Sequence, residues 1–115
     1  MTRRLYKVLF LSILIICTVL FAKEVKGIAQ LFPHIDKIAH FGIFFILAGV
    51  MQRAFKAPTW IHILLLISYG AGIEIMQSIL PHRDGSFADL IADAFGVAFY
   101  FSSFWLWQKN AKKAI

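Results

Sequence analysis

Four long apolar stretches alternate with short polar segments along the chain. They cover residues 5–22, 38–55, 60–80 and 87–107, which is 18 to 21 residues each. A helix needs about 20 apolar residues, and about 17 at the least, to cross the hydrocarbon core of a bilayer. The pattern therefore predicts an all-α fold, a four-helix transmembrane bundle that forms a single domain over residues 1–115.

Composition agrees with a membrane location. Hydrophobic residues make up 60% of the chain and charged residues 16%, whereas a soluble domain has about a quarter charged residues and less than about half apolar ones. The net charge of +6 could indicate nucleic-acid binding, but the distribution of the cations argues against it. The single cysteine, Cys17, lies inside an apolar stretch and cannot form an intramolecular disulfide.

Lysine and arginine residues set the predicted orientation, because cytoplasmic loops are richer in them than outer loops. With the N-terminus inside, eight cations are cytoplasmic: Arg3, Arg4, Lys7, Arg53, Lys56, Lys109, Lys112 and Lys113. Four are outside: Lys23, Lys26, Lys37 and Arg83. We therefore expect a multi-pass protein of the inner (cytoplasmic) membrane with both termini cytoplasmic. The basic excess then reflects topology and contact with anionic lipid, and no nucleic-acid partner is expected.

The first stretch and the segment after it leave alternatives open. A basic start followed by apolar residues is also typical of a secretory signal. Cleavage after Ala22 would place Leu20 where a small residue is required, so we expect the helix to be retained. Residues 23–36 either contain a short amphipathic piece on the outer surface or form a plain loop broken at Pro33.

Acidic residues gather on the side predicted to be outside. All six lie in outer loops or in the outer halves of predicted helices: Glu24, Asp36, Glu74, Asp84, Asp89 and Asp93. At about 1.5 Å of rise per residue, Glu74 and Asp93 would lie about 9 Å below the outer edge. Ionisable groups at this depth cost a few kcal/mol each when they face lipid. We therefore expect them to face one another inside the bundle, as a candidate functional site.

Polar residues recur in pairs at helical spacing, so that each pair shares a helix face. The pairs are Asp36 with His40, Glu74 with Gln77, and Asp89 with Asp93. Two carboxylates on one face need a cation, a proton or a donor between them, and the nearby cations are Lys37 and Arg83. Other roles stay open: Ser86 with Asp89 matches a helix capping box, and we expect Asp84 with Gly85 to form a turn.

Small residues indicate where helices approach closely. They are Gly42 and Gly49 on the second predicted helix, Gly70 and Gly72 on the third, and Ala88, Ala92 and Gly96 on the fourth. The last three form a stripe within one residue of Asp89 and Asp93, so we expect close packing and the polar cluster to coincide. His62, near the cytoplasmic end of its helix, is expected at the membrane interface.

Three motifs resemble the VanZ-like family of small bacterial membrane proteins. They are DKIAHF (36–41), EIMQ (74–77) and RDGSFADLIADAFG (83–96), within a resemblance over about residues 34–100. The family pattern D-K-x-x-H-F, E-x-x-Q, R-x(5)-D-x(3)-N-x-x-G is matched at Asp36, Lys37, His40, Glu74, Gln77, Arg83, Asp89 and Gly96. Asp93 departs from it, since Asn is expected there. The resemblance implies four or more spanning helices and a link to reduced sensitivity to the glycopeptide teicoplanin, and it supplies no reaction.

Two classes of function follow. In the first, a site at the outer membrane face handles an amphiphile with an anionic or sugar headgroup, either a membrane lipid or a lipid-linked envelope precursor. Its candidate catalytic residues are His40, Glu74 and Asp89, and its candidate ligand-binding residues are Asp36, Lys37, Gln77, Arg83 and Asp93. A divalent metal is left open as a cofactor, with His40, Glu74, Asp89 and Asp93 as its ligands. No familiar nucleophile or phosphate-loop motif is present, so whether the protein is an enzyme stays open.

In the second class, the polar residues form a non-enzymatic network that only fixes the bundle or presents a surface to a partner. A transporter or channel ranks last, because four helices are few for a transport pathway unless the chain forms an oligomer. No acid continues such a pathway on the inner side.

Overall fold

A computed structural model describes residues 2–22, 35–79 and 87–114, and these residues form four helices. The helices are α1 (Arg3–Ala22), α2 (Ile35–Ala54), α3 (Thr59–Ile79) and α4 (Phe87–Ala114). No strand occurs within the described ranges. The predicted all-α, four-helix fold is confirmed.

Three helices contain segments that are long and apolar enough to cross a membrane: Arg3–Phe21 in α1, Thr59–Ile79 in α3 and Phe87–Lys112 in α4. Their outward faces are apolar as well, with Ile15, Ile75 and Phe95 each more than 60% exposed. A soluble bundle would place polar residues at such positions, whereas lipid requires apolar ones. The protein is therefore a membrane protein.

Helix α2 lies at the centre of the packing. It has 20 residues, the same number as α1, and it packs against α1, α3 and α4, most extensively against α4. Its neighbours cover His40, Phe44 and Leu47 almost completely. Because protein surrounds this face of α2, its polar side chains do not have to face lipid.

Two helix bounds differ from the sequence prediction by three residues or more. Helix α2 begins at Ile35 rather than at residue 38, which moves Lys37 from a loop into the first turns of the helix. Helix α4 continues to Ala114, seven residues beyond the predicted end at 107. In that extension the ammonium of Lys109 lies 5.1 Å from the ring centroid of Trp105, one helical turn earlier.

Helix α1 is part of the core of the bundle. Its Phe10, Cys17 and Phe21 side chains are each at least nine-tenths buried. A hydrogen bond of 2.6 Å joins the hydroxyl groups of Thr18 and Tyr69, so α1 is also tied to α3 by a polar contact. Interhelical hydrogen bonds of this kind contribute about 0.6 kcal/mol on average in membranes.

Close helix contacts occur at some of the small residues and not at others. A Cβ atom at Gly96 would collide with the backbone oxygen of Phe41, so Gly96 lets α4 lie directly on α2. A Cβ atom at Gly49 would lie 3.1 Å from the Tyr100 ring. The expected close approach at Gly42 and Gly72 is wrong, because a Cβ atom there meets no described residue within 4 Å.

Candidate functional site

His40 and Asp93 form the centre of a buried polar cluster. His40 on α2 is 2% exposed and Asp93 on α4 is fully buried. Their Nδ1 and Oδ1 atoms are 2.7 Å apart. Because a carboxylate accepts a hydrogen bond, this contact assigns the imidazole proton to Nδ1 and leaves the lone pair of a neutral ring on Nε2.

The imidazole ring of His40 also contacts α1, and α1 is in turn hydrogen-bonded to α3. The Phe21 ring stacks on it with centroids 4.4 Å apart and an interplanar angle of 23°. The backbone oxygen of Phe21 accepts a hydrogen bond of 3.0 Å from Nε2 of Gln77 on α3. Contacts with α1 and α4 therefore fix the position of the His40 ring, and α3 supports it through Phe21.

A further carboxyl group, that of Asp89, lies on the Nε2 side of His40, and Glu74 lies close to both residues. Oδ2 of Asp89 lies 3.8 Å from Nε2, which is longer than a hydrogen bond. One ligand atom from each of His40, Glu74 and Asp89 can be chosen so that all three lie within 4.8 Å of one another. The ammonium of Lys37 lies 3.5 Å from Oδ1 of Asp89, and the Lys37 side chain is 35% exposed. Helices α2, α3 and α4 thus each contribute to one polar cluster.

The cluster lies near one end of the bundle. His40 is five residues after the start of α2 and Glu74 is five residues before the end of α3, which places each about 7.5 Å from its helix end. Asp89 lies in the first turn of α4. Its carboxylate is therefore favoured there by the positive end of the helix dipole.

Asp93 fits into the bundle because residue 70 is a glycine. A Cβ atom at Gly70 would lie 2.7 Å from Oδ2 of Asp93. This oxygen is buried and has no hydrogen-bond partner within the described part of the chain. The hydrogen bond to His40 therefore uses one carboxylate oxygen, while the other packs against the α3 backbone.

The structure brings together most of the residues singled out in the sequence. Lys37, His40, Glu74, Asp89 and Asp93 lie in the cluster. Asp93, included among the candidate metal ligands, instead lies behind the imidazole on its Nδ1 side.

Other candidate positions differ in outcome. Gln77, a candidate ligand-binding residue, donates a hydrogen bond to the backbone oxygen of Phe21. This contact fixes the position of α1 and involves no ligand. Arg83, Asp84 and Ser86 lie outside the described residues, as do the segment 23–34 and the side chain of Asp36.

Two aromatic contacts were not anticipated from the sequence. Phe21 had no feature that distinguished it from the other apolar residues of the first stretch, and its contact with His40 depends on how α1 packs on α2. His62, expected near the membrane interface, has a side chain that faces protein: it is 2% exposed and stacks on Phe101. Neither ring nitrogen of His62 has a hydrogen-bond partner among the described residues.

An apolar groove adjoins the cluster on the outside of α2 and α4. It has a volume of about 390 Å³ and is lined by Lys37, Ile38, Phe41, Ala92 and Phe95. Lys37 belongs to both the groove and the cluster, because its ammonium contacts Asp89. The groove could accept an apolar chain, and Lys37 could contact an anionic group attached to it.

The chemistry of the cluster is that of a proton acceptor or a cation site. An imidazole whose Nδ1 proton is held by a carboxylate can accept a proton, or bind a metal, at Nε2. Asp89 supplies an oxygen ligand on that side, and Glu74 supplies another ligand atom within 4.8 Å of those of His40 and Asp89.

Comparisons with known proteins identify the family. No curated protein and no solved structure matches the chain. The family model described as VanZ/LLP1 matches residues 2–108, which include all of α1, α2 and α3 and most of α4. The match thus covers the apolar helices together with the whole histidine–carboxylate cluster, and the chain belongs to the VanZ/LLP1 family.

Proposed function

We propose that the protein binds the headgroup of a membrane amphiphile at the outer face of the cytoplasmic membrane. The observation that carries this proposal is the position of Lys37, which lines an apolar groove and contacts a buried carboxylate cluster. A ligand with an apolar chain and an anionic or sugar headgroup matches that combination of surfaces. The candidates are a phospholipid and a lipid-linked precursor of the cell envelope.

The orientation of the bundle supports an outer-face site. The eight-to-four distribution of Lys and Arg favours cytoplasmic termini. An N-terminus in the cytoplasm places the end of α3, and the beginnings of α2 and α4, on the outer side. The cluster then lies on the outer side, about two helical turns or less from the helix ends.

The groove has dimensions suited to a ligand chain. Small-molecule sites in proteins occupy about 300–1,000 Å³ and are mostly apolar with a few well-placed polar groups. The groove, at about 390 Å³, lies within this range of volumes. It is open and almost entirely apolar, and the ammonium of Lys37 contacts Asp89 beside it. Its position between α2 and α4 opens it to the side of the bundle, where lipid chains are present in a membrane.

Within this proposal the cluster acts on the headgroup. Lys37 contacts a phosphate or carboxylate, and the Nε2 lone pair of His40 is available to a proton donor or to a metal ion beside the headgroup. Asp93 keeps the imidazole in the required tautomer. Binding of an envelope lipid or precursor would then account for an effect on teicoplanin sensitivity.

A structural role is the second candidate, and the burial of Asp93 favours it. Asp93 is fully buried and His40 is 2% exposed, as expected for a network whose task is to hold α2 against α4. Removing one partner of a buried charged pair destabilises soluble proteins by about 3–5 kcal/mol. Under this alternative, the groove has no role.

The groove provides a test that leaves the cluster intact. Ala92→Phe would fill the groove, and Ala98→Phe makes the same change at an exposed position of α4 outside it. We expect Ala92→Phe to reduce the lipid that co-purifies with the protein, measured by mass spectrometry, and to abolish any effect on teicoplanin sensitivity. Ala98→Phe should match the unsubstituted protein. Equal lipid retention by both variants would contradict the proposal.

A further inference from the structure

We infer that His40, Glu74 and Asp89 bind one divalent transition-metal ion, Zn²⁺ or Mn²⁺, at the headgroup end of the site. The inference deepens the proposed function and rests on it for the role of the metal. It is tested by metal binding alone, so its outcome is independent of lipid retention.

The first argument is the convergence of three ligand atoms from three helices. The atoms of His40, Glu74 and Asp89 lie within 4.8 Å of one another, and the pair formed by Nε2 of His40 and Oδ2 of Asp89 is 3.8 Å apart. Ligands about 2.0–2.2 Å from a tetrahedral ion are about 3.4 Å apart. Each atom would therefore move inward by about 0.8 Å or less to reach that geometry, a displacement that small side-chain rotations can supply.

The second argument is the orientation of the imidazole. Metal-binding histidines almost always donate their other ring N–H to a carboxylate or a carbonyl, which fixes the tautomer and the ring plane. His40 has this arrangement, since Nδ1 contacts Asp93 at 2.7 Å and the ring is stacked on Phe21. The lone pair on Nε2 is thereby directed to the side where Asp89 lies. An acidic cluster alone would not show this preorganised nitrogen ligand.

The ligand set selects the class of metal. Mg²⁺ and Ca²⁺ are bound by oxygen ligands, whereas imidazole nitrogen suits transition ions. One imidazole and two carboxylates form a mixed set that fits Zn²⁺ or Mn²⁺. Three protein ligands leave at least one coordination position for water or for an oxygen of the headgroup.

Metal binding by the purified full-length protein is the primary experiment. The protein in detergent is stripped with a chelator, dialysed against Zn²⁺ or Mn²⁺ alone, and analysed by elemental mass spectrometry. We expect one ion per chain, and loss of binding in both His40→Gln and Glu74→Gln. The matched control is His62→Gln, which makes the same change at a buried histidine near the opposite end of α3 from Glu74 and should retain the ion.

Asp93 supplies a graded test. Asp93→Asn keeps the size of the side chain but removes the charge behind the imidazole, and changes of this kind reduce metal affinity by about 10–100-fold. We expect binding to weaken by that factor and not to disappear. An unchanged affinity would show that Asp93 does not support a metal ligand.

A measurement on the unsubstituted protein keeps the inference testable where variants fail to fold. X-ray absorption of the metal-loaded protein should show nitrogen and oxygen ligands with a single imidazole. A chain that binds neither ion, or a spectrum with sulfur or with two imidazoles, would overturn the inference. The groove variants test the proposed function separately, since lipid retention can depend on Ala92 whether or not a metal is bound.

Discussion

Gly70→Ala is the substitution that most directly tests how the bundle positions its polar cluster. The added methyl group would lie 2.7 Å from Oδ2 of Asp93 and 3.3 Å from Cδ1 of Leu90. A carboxylate can rotate away from such a contact. That rotation would disrupt the 2.7 Å contact between Oδ1 of Asp93 and Nδ1 of His40. The alternative is a shift of α4 away from α3.

The expected magnitude follows from the contact that is lost. A hydrogen bond to a charged group contributes about 1.5–3 kcal/mol. Alanine is favoured over glycine in a helix by about 0.8–1 kcal/mol, so Gly70→Ala should destabilise the protein by about 0.5–2 kcal/mol. The matched control is Gly72→Ala on the same helix, where a Cβ atom meets no described residue within 4 Å. Gly72→Ala gains the helix-forming preference of alanine without a steric clash, so its stability should equal or exceed that of the unsubstituted protein.

The difference between the two variants isolates the contact. It is expected to be about 1.5–3 kcal/mol, because the helix preference is common to both. Reversible unfolding in mixed detergent, followed by circular dichroism, measures it. Combining Gly70→Ala with Asp93→Asn should reduce the difference, since the charged hydrogen bond is then already absent. Equal stability of Gly70→Ala and Gly72→Ala would refute the reasoning.

Three further predictions concern the cluster and the helix contacts. Glu74→Gln should insert and fold at normal levels, measured as membrane abundance, and should abolish any effect of the protein on teicoplanin sensitivity. Degradation of the variant would instead favour a structural network. Gly96→Ala should destabilise the bundle by about 1–3 kcal/mol in the same unfolding assay, because the added methyl group would collide with the backbone oxygen of Phe41. A neutral result would show that α2 and α4 can move apart without loss of stability. Tyr69→Phe removes the hydroxyl group bonded to Thr18 and should lower the free energy of unfolding by about 0.6 kcal/mol, and by no more than about 1.7 kcal/mol. A larger loss would contradict the assignment of a single interhelical hydrogen bond to this hydroxyl group.

The sequence predicted the number and type of the elements because a bilayer imposes a length on every spanning helix. It also predicted that His40, Glu74 and Asp93 would face protein, because a charged group facing lipid costs several kcal/mol. The helix bounds were less accurate where polar residues continue a helix beyond the apolar stretch, as at Lys37 and in the last turns of α4.

The pairing of atoms within the cluster could not be predicted in the same way. Periodicity places Asp89 and Asp93 on one face of α4, but it does not distinguish the residue that bonds to Nδ1 of His40 from the one on the Nε2 side. That choice depends on the relative rotation and height of two helices. Likewise, the sequence marked Gly70 and Gly72 alike, and only one of them faces α4.

The sequence by itself determined that this chain forms a helical membrane bundle in which Glu74, Asp89 and Asp93 face protein. Apolar length and the cost of exposing charge to lipid are properties of each segment alone. The tertiary structure decided which side chains meet. Contacts between segments depend on how closely backbones approach, and that distance is set at single positions such as Gly96 against Phe41. The same packing places Phe21 of α1 on the imidazole of His40, a contact that no local pattern specifies.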